Sequence, residues 1–322
     1  MRGLDTAAAR FSSLWEKAYD VGVKRTFAAH ERTVKECMCA QLAKRSKDTL
    51  IRYGDDSVTW AEADEIACRL ANGLTAHGIS PQDCVSIVVS NRPEVVYSFM
   101  ACYKAGFVAS AYNQRSTARE IANNVREAGS SAIIIENKHA GKVLSSFWAG
   151  ELPKVKLIVV ICETPGETGS NAREGLREGF GALNPVAQIV SFSALVAAAS
   201  VREPAYEVKP DDFAIQLFTG GTTGICKGVR QTHEALVFEI RNMGNWLRLA
   251  LSNENPSILV CMPMTHVMGI NYGIHWQLIN GGSAIVTSRT KAREIVEDMD
   301  KYRPTMWGAL PTLLHAVSHE PH

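Results

Sequence analysis

The sequence predicts an α/β protein made of two units of mostly parallel sheet flanked by helices. Three observations predict it. Apolar runs of strand length alternate with helix-period segments along the 322 residues. Capping and stop signals separate the two kinds of segment. A loop of glycines, threonines and one lysine directly follows one of the apolar runs, as loops do at the carboxyl ends of parallel strands.

Thr49 to Tyr53 is rich in strand formers and leads through Gly54-Asp55-Asp56 to Thr59, which makes a capping box with Glu62. Ala63, Ile66, Ala67, Leu70 and Leu74 recur at helical spacing, and Gly78 stops that helix. Cys84 to Val89 reads as a strand, Pro93 to Gly106 as a helix opened by proline, and Phe107 to Tyr112 as a strand. Thr117 and Glu120 form a second capping box, with Gly129 closing the helix. Ala132–Ile135 and Val155–Ile161 are continuous in branched apolar residues, the pattern of strands buried on both faces. Cys162 to Pro185 turns to Gly, Glu, Pro, Ser and Asn and reads as a long loop. A short strand and helix over 188–200 and a charged connector, Arg202–Asp212, close the first unit.

The second unit begins with strand Phe213–Phe218, the glycine loop, and a helix capped by Thr232. Strand Ser257–Met262, a helix over 269–279, strand Ser283–Thr287, helix Lys291–Tyr302, strand Thr305–Trp307 and a helix from Pro311 follow. The expected division is residues 1–205 and 206–322.

Composition narrows the class. Apolar residues are 46% and charged residues 21%, ordinary for a globular protein, and a net charge of +1 offers neither a nucleic-acid footprint nor an acidic tail. No apolar run reaches membrane-span length, and the first residues, Met1 to Lys17, lack an apolar signal core. Eight scattered cysteines without a CxxC pair suit reduced thiols and a cytoplasmic location. His315 and His319 stand one helical turn apart, but two imidazoles are not a metal site.

The loop reads Thr219-Gly220-Gly221-Thr222-Thr223-Gly224-Ile225-Cys226-Lys227-Gly228. Glycines let successive backbone N–H groups converge, threonines add hydroxyl donors, and a lysine adds a mobile positive charge, which together suit a polyphosphate. The Walker pattern is excluded because Lys227 precedes Gly228 rather than Ser or Thr. The dinucleotide fingerprint is excluded by the glycine spacing.

This segment resembles the signature loop of the adenylate-forming superfamily, which comprises acyl-CoA synthetases, luciferases and peptide-synthetase adenylation domains. Cys226 stands where the family usually has proline. Val229-Arg230-Gln231-Thr232-His233 is most similar to the fatty acyl-CoA ligase branch. Arg52 to Glu62, Val89-Ser90-Asn91-Arg92-Pro93-Glu94 and Tyr112-Asn113-Gln114-Arg115 also resemble family segments in the right order. The resemblance implies the N-terminal portion of a longer enzyme, with two stacked, mostly parallel sheets flanked by helices. The segments that hold adenine and ribose, and a C-terminal lid with its lysine, are expected beyond this chain, so weak or no turnover is expected of it alone.

By that resemblance the reaction is ATP-dependent activation of a carboxylic acid, fatty in the expected case, to acyl-AMP and then to a thioester of coenzyme A. Gly220, Gly221, Thr222, Thr223, Gly224 and Gly228 would cradle the phosphates, Lys227 would oppose the charge of the leaving pyrophosphate, and Thr219 would stand near Mg²⁺. His266, in Met262-Pro263-Met264-Thr265-His266-Val267-Met268-Gly269, would sit beside the carboxylate. From the residues alone a helix-capping histidine is the favoured reading, and the resemblance reverses that preference. Met268, Gly269, Tyr272, Trp307, Gly308 and Ala309 are the candidate acyl pocket, in which Trp307 could also block a chain. His233 is expected to be structural, and His275 stays open. Arg230 and Arg289 are read as surface charges. The expected partners are the acid, ATP and CoA, with a homodimer and peripheral membrane contact as further expectations. A non-catalytic nucleotide- or acyl-binding module and a peptide-synthetase adenylation domain are the alternatives.

Overall fold

The computed structural model describes residues 30–148, 150–162, 188–219, 227–247 and 256–320. The expected loop over 162–185 therefore lies, apart from Cys162, outside the described residues.

The first helix, α1 (Val34–Arg45), was not legible from periodicity, yet Thr33 and Glu36 cap it reciprocally, with Glu36 N–H donating to Thr33 Oγ1 at 3.1 Å. Strands β1 (Thr49–Tyr53) and β2 (Asp56–Thr59) form a hairpin across Gly54, whose φ of +61° only glycine adopts freely. Helix α2 (Trp60–Ala76) starts at the expected Thr59–Glu62 box. Strand β3 (Cys84–Val88), helix α3 (Pro93–Ala105), strand β4 (Val108–Ala111) and helix α4 (Ala118–Ala128) follow, the last opening on the Thr117–Glu120 box. Then come β5 (Ser130–Glu136), α5 (Asn137–Trp148), β6 (Leu157–Ile161), β7 (Gln188–Ser191) and α6 (Phe192–Ala198). The rest is β8 (Phe213–Thr219), β9 (Lys227–Thr232), α7 (His233–Leu247), β10 (Ser257–Val260), α8 (Val267–Ile270), a π-helical turn (Asn271–His275), α9 (Trp276–Asn280), β11 (Ser283–Val286), α10 (Ala292–Tyr302), β12 (Met306–Trp307) and α11 (Pro311–Ser318).

Two sheets result among the described residues, in the orders β7-β6-β5-β3-β4-β8-β9 and β12-β10-β11-β1-β2. Only the β1–β2 and β8–β9 pairings are antiparallel. The sheets do not divide at residue 205: β8 and β9 extend the sheet of β3 to β7, while β1 and β2 complete that of β10 to β12. Sheet membership follows hydrogen-bonding neighbours in space, which local patterns do not report.

Alternation along the strands sorts the core into layers. Ile87, Ile134 and Val159 of the larger sheet, and Ile51, Ile258 and Val286 of the smaller, face one shared core filled by α1, α2, α3, α7 and α9. Ile133, Ile135 and Val160 face outward under α4 and α5. Leu259 and Ile285 face outward under α10 and α11. The order is helix, sheet, helix, sheet, helix.

The helix expected over 269–279 is instead two α-helical pieces joined by a π-helical turn. A Cβ at Gly273 would lie 2.8 Å from Val260 Cγ1 and 3.2 Å from Met264 Cε, so the backbone is pressed onto β10 where the helix widens. Among the described residues no helix is long and apolar enough to cross a membrane.

Candidate functional site

Strands β8 and β9 pair from Phe213–Thr232 to Thr219–Lys227, so the glycine loop closes a hairpin at the carboxyl end of β8, itself parallel to β4. Gly220, Gly221, Thr222, Thr223 and Gly224 lie outside the described residues, as do Ile225 and Cys226. Both posts of the loop are described. Thr219 is exposed and its hydroxyl donates to Lys227 O at 3.5 Å. Lys227 is exposed, and its ammonium has no partner among the described residues. Gly228 has a packing reason: a Cβ there would collide with the buried Gln216 amide and lie 3.3 Å from Phe218. Arg230, expected as a solvated charge, donates from Nε to Gln216 Oε1 at 2.8 Å and lies 5.3 Å from the Phe213 ring centre. Arg289 likewise pairs with Asp298, at 2.8 Å, and with Glu297.

The second segment leaves the carboxyl end of β10. His266 N–H donates to Pro263 O at 3.0 Å, and His266 caps α8, its Nδ1 accepting from Met268 N–H at 3.4 Å. The ring is exposed. With Nδ1 accepting, Nε2 carries the proton in the neutral ring and takes no part in the cap. Capping and carboxylate positioning are therefore compatible, because each uses a different nitrogen. Gly269 is obligatory, since a Cβ would collide with the Pro263 carbonyl. Met268 is half-buried beside it.

Of the expected acyl pocket, Tyr272 and Gly308 are brought together: a Cβ on Gly308 would touch the tyrosine ring at 3.4 Å. Ala309 follows, half-buried. Trp307 turns the other way. Its indole N–H donates to Cys261 Sγ at 3.2 Å and it packs with Leu259, Ile285 and Ile295 in the outer core. Alternation along β12 imposes this, so Trp307 neither lines nor blocks the wall made by Gly308 and Tyr272.

A polar chain that the sequence did not reveal ties the hairpin to this wall. Tyr103 O–H meets His275 Nε2 at 2.6 Å, and His275 Nδ1 meets Asn271 Oδ1 at 3.0 Å. Asn271 Nδ2 donates to Glu239 Oε1 at 3.0 Å, and Gln231 Nε2, on β9, donates to Glu239 Oε2 at 2.7 Å. Burial pushes His275 down to about 3, keeping it neutral, so Tyr103 donates to Nε2 and Nδ1–H donates to Asn271. The carboxylate of Glu239 is the terminal acceptor. His233 is structural, as expected: buried, pushed down by desolvation to about 4, with Nδ1 accepting from Val34 N–H at 3.3 Å.

Magnesium is poorly served by the described residues. Thr219 offers one hydroxyl oxygen, whereas Mg²⁺ requires an octahedron of oxygens, so no step is assigned to the ion. Asp64, Cys68 and Glu203 form the one described cluster of ligand-type residues. The Lys104 ammonium already holds it, at 2.7 Å from Asp64 and 2.5 Å from Glu203.

A family model described as AMP-binding enzyme matches residues 39–322. Among curated proteins, a 4-coumarate–CoA ligase of Vanilla planifolia is 25% identical over 275 residues, 85% of this chain and 46% of the relative. A feruloyl-CoA synthase of an Amycolatopsis species is 27% identical over 273 residues, 85% of this chain and 48% of the relative. Among solved structures, an anthranilate CoA ligase in complex with anthranoyl-AMP superposes with TM-score 0.75 at 20% identity, covering 88% of this chain and 51% of that one. A long-chain-fatty-acid-CoA ligase from Archaeoglobus fulgidus gives 0.74 at 19%, covering 90% and 54%. At such identities the superpositions establish the fold. The chain spans about half the length of the curated relatives it matches.

Proposed function

The chain belongs to the AMP-binding enzyme family, and from that premise we propose that it supplies the phosphate-gripping part of an enzyme that activates a carboxylic acid with ATP. A carboxylate oxygen attacks the α-phosphorus, the bond to the bridging β-phosphate oxygen breaks, and pyrophosphate leaves. The product is a mixed acyl-phosphate anhydride, acyl-AMP. A thiolate, that of coenzyme A, then attacks the acyl carbon and AMP departs.

Both partners in the first step are anions, so the protein's task is alignment and charge neutralisation. Lys227 places an ammonium beside the leaving β- and γ-phosphates, and Thr219 with the hydroxyls and backbone N–H groups of residues 220–224 grips them. His266 holds the carboxylate by Nε2–H. Tyr272, Gly308 and Ala309, with Met268, line the acyl slot. The observation that carries this reading is the β8–β9 hairpin: an exposed threonine and a lysine without a partner among the described residues flank a glycine-rich connection at the carboxyl end of a parallel strand.

The acid class we put first is aromatic, because the curated relatives are named for 4-coumarate and ferulate. The fatty acid expected from sequence gains no support from those names. The test is acid-dependent exchange of labelled pyrophosphate into ATP by the full-length protein, over a panel of cinnamic, benzoic and fatty acids. Exchange with at least one acid, strongest in the cinnamic group, is expected. No exchange with any of them overturns the proposal.

A further inference from the structure

We propose that Asn91 is a positioning residue for acid activation: its amide locks the turn at Met262–Met264 to the ends of both sheets and so fixes where His266 stands. The inference rests on the role given to His266 above.

Asn91 lies in the turn that follows β3, three residues beyond Val88, and is 8% exposed. Its Nδ2 donates to Met262 O at 2.9 Å and to Thr287 O at 3.1 Å, with Val260 O at 3.4 Å sharing a proton. Its Oδ1 accepts from Met264 N–H at 2.8 Å. One side chain just past a strand of the larger sheet thus meets the carboxyl ends of β10 and β11 of the smaller. Three carbonyls and one N–H around a buried group require two donors and an acceptor on a short stem, which among side chains is an asparagine amide. An aspartate keeps the acceptor and turns a second oxygen on the carbonyls.

The bonds fall on both sides of Pro263. The pairing of β10 with β11 ends at Val260–Val286, so the chain beyond it leaves the ladder. Asn91 grips Met262 O and Met264 N–H there, Pro263 O then receives His266 N–H, and His266 caps α8. Moving the turn moves the imidazole. The two sheets do not need Asn91 for their union, because a continuous apolar core already joins them. What the amide adds is a fixed position for one loop.

The test is a double-mutant cycle in the full-length enzyme, supported by NMR on the 322-residue chain. Asn91→Asp should slow acid-dependent pyrophosphate exchange by about tenfold or more, mainly through the KM for the acid, and change the KM for ATP by less than about twofold. In a His266→Ala background the same substitution should cost less than about twofold, because its route is already cut. Equal losses in both backgrounds overturn the proposal. By NMR, the Met264 amide of the unmodified chain should exchange slowly with solvent, and Asn91→Asp should shift the His266 ring resonances. A rapidly exchanging Met264 amide, or an unmoved His266 ring, also overturns it. These two readouts need no turnover, so they judge Asn91 even if no acid is activated.

Discussion

Lys104 and Lys227 carry the same charge under opposite constraints. Lys104 lies in the last turn of α3, where every residue from Val95 to Ala105 is buried. Burial alone would lower its pKa, but Asp64 and Glu203 more than offset that and raise it. Its charge is consumed within the protein. Lys227 opens β9, whose first four residues are exposed, and no described group takes its ammonium. The inter-sheet layer pairs its charge within the fold, whereas on the hairpin no described residue neutralises it. Substitutions in the first region should therefore be read out in stability, and in the second in chemistry.

The sharpest test of that contrast is Phe99→Ala. The ring is fully buried beside Tyr103 and His275 in the inter-sheet layer, and its loss should cost about 3–5 kcal/mol in chemical denaturation. Lys104→Met should cost about 3 kcal/mol, because it strips Asp64 of its cation and leaves Glu203 only the longer pair with Lys35, at 3.4 Å. A neutral or stabilising result would break the comparison, showing that the buried charge does not hold the fold.

Acidification comes next. His275 and His233 have folded pKa values lowered by burial to about 3 and about 4. The unfolded chain binds their protons near the usual histidine value, so their contribution is complete above about pH 6.5 and falls as pH drops below it. Between pH 7 and pH 5 each should remove about 2 kcal/mol of stability. Denaturation midpoints at the two pH values measure this, and His275→Gln should give a shallower loss. The smallest effect on stability is expected from Lys227→Ala, within about 0.5 kcal/mol. In the full-length enzyme that variant should slow pyrophosphate exchange by about 10²–10³-fold, the scale seen when a preorganised charge-stabilising group is removed.

Much of the layered fold was legible because its signals are local. The Thr59–Glu62 and Thr117–Glu120 boxes, Gly78, Gly106 and Gly129 as stops, and the branched runs of β5 and β6 all stand where the pattern put them. What escaped is non-local. Helix α1 has its apolar residues too sparse for periodicity. Strand β9 reads Lys-Gly-Val-Arg-Gln-Thr, polar enough to pass for loop, and is a strand because β8 lies beside it. At the site, the glycine loop and His266 were legible as motifs. The chain from Tyr103 through His275, Asn271 and Glu239 to Gln231 was not, because its members are scattered over 173 positions of sequence and meet only in space. Trp307 was misplaced because a two-residue strand is too short to show which face it presents.

Crystals of this chain grown with ATP would bear most directly on the central claim. Triphosphate density is expected at the connection between Thr219 and Lys227, with the lysine ammonium within hydrogen-bonding reach of the β- or γ-phosphate. Triphosphate bound elsewhere, with the Lys227 side chain directed to solvent, would contradict it.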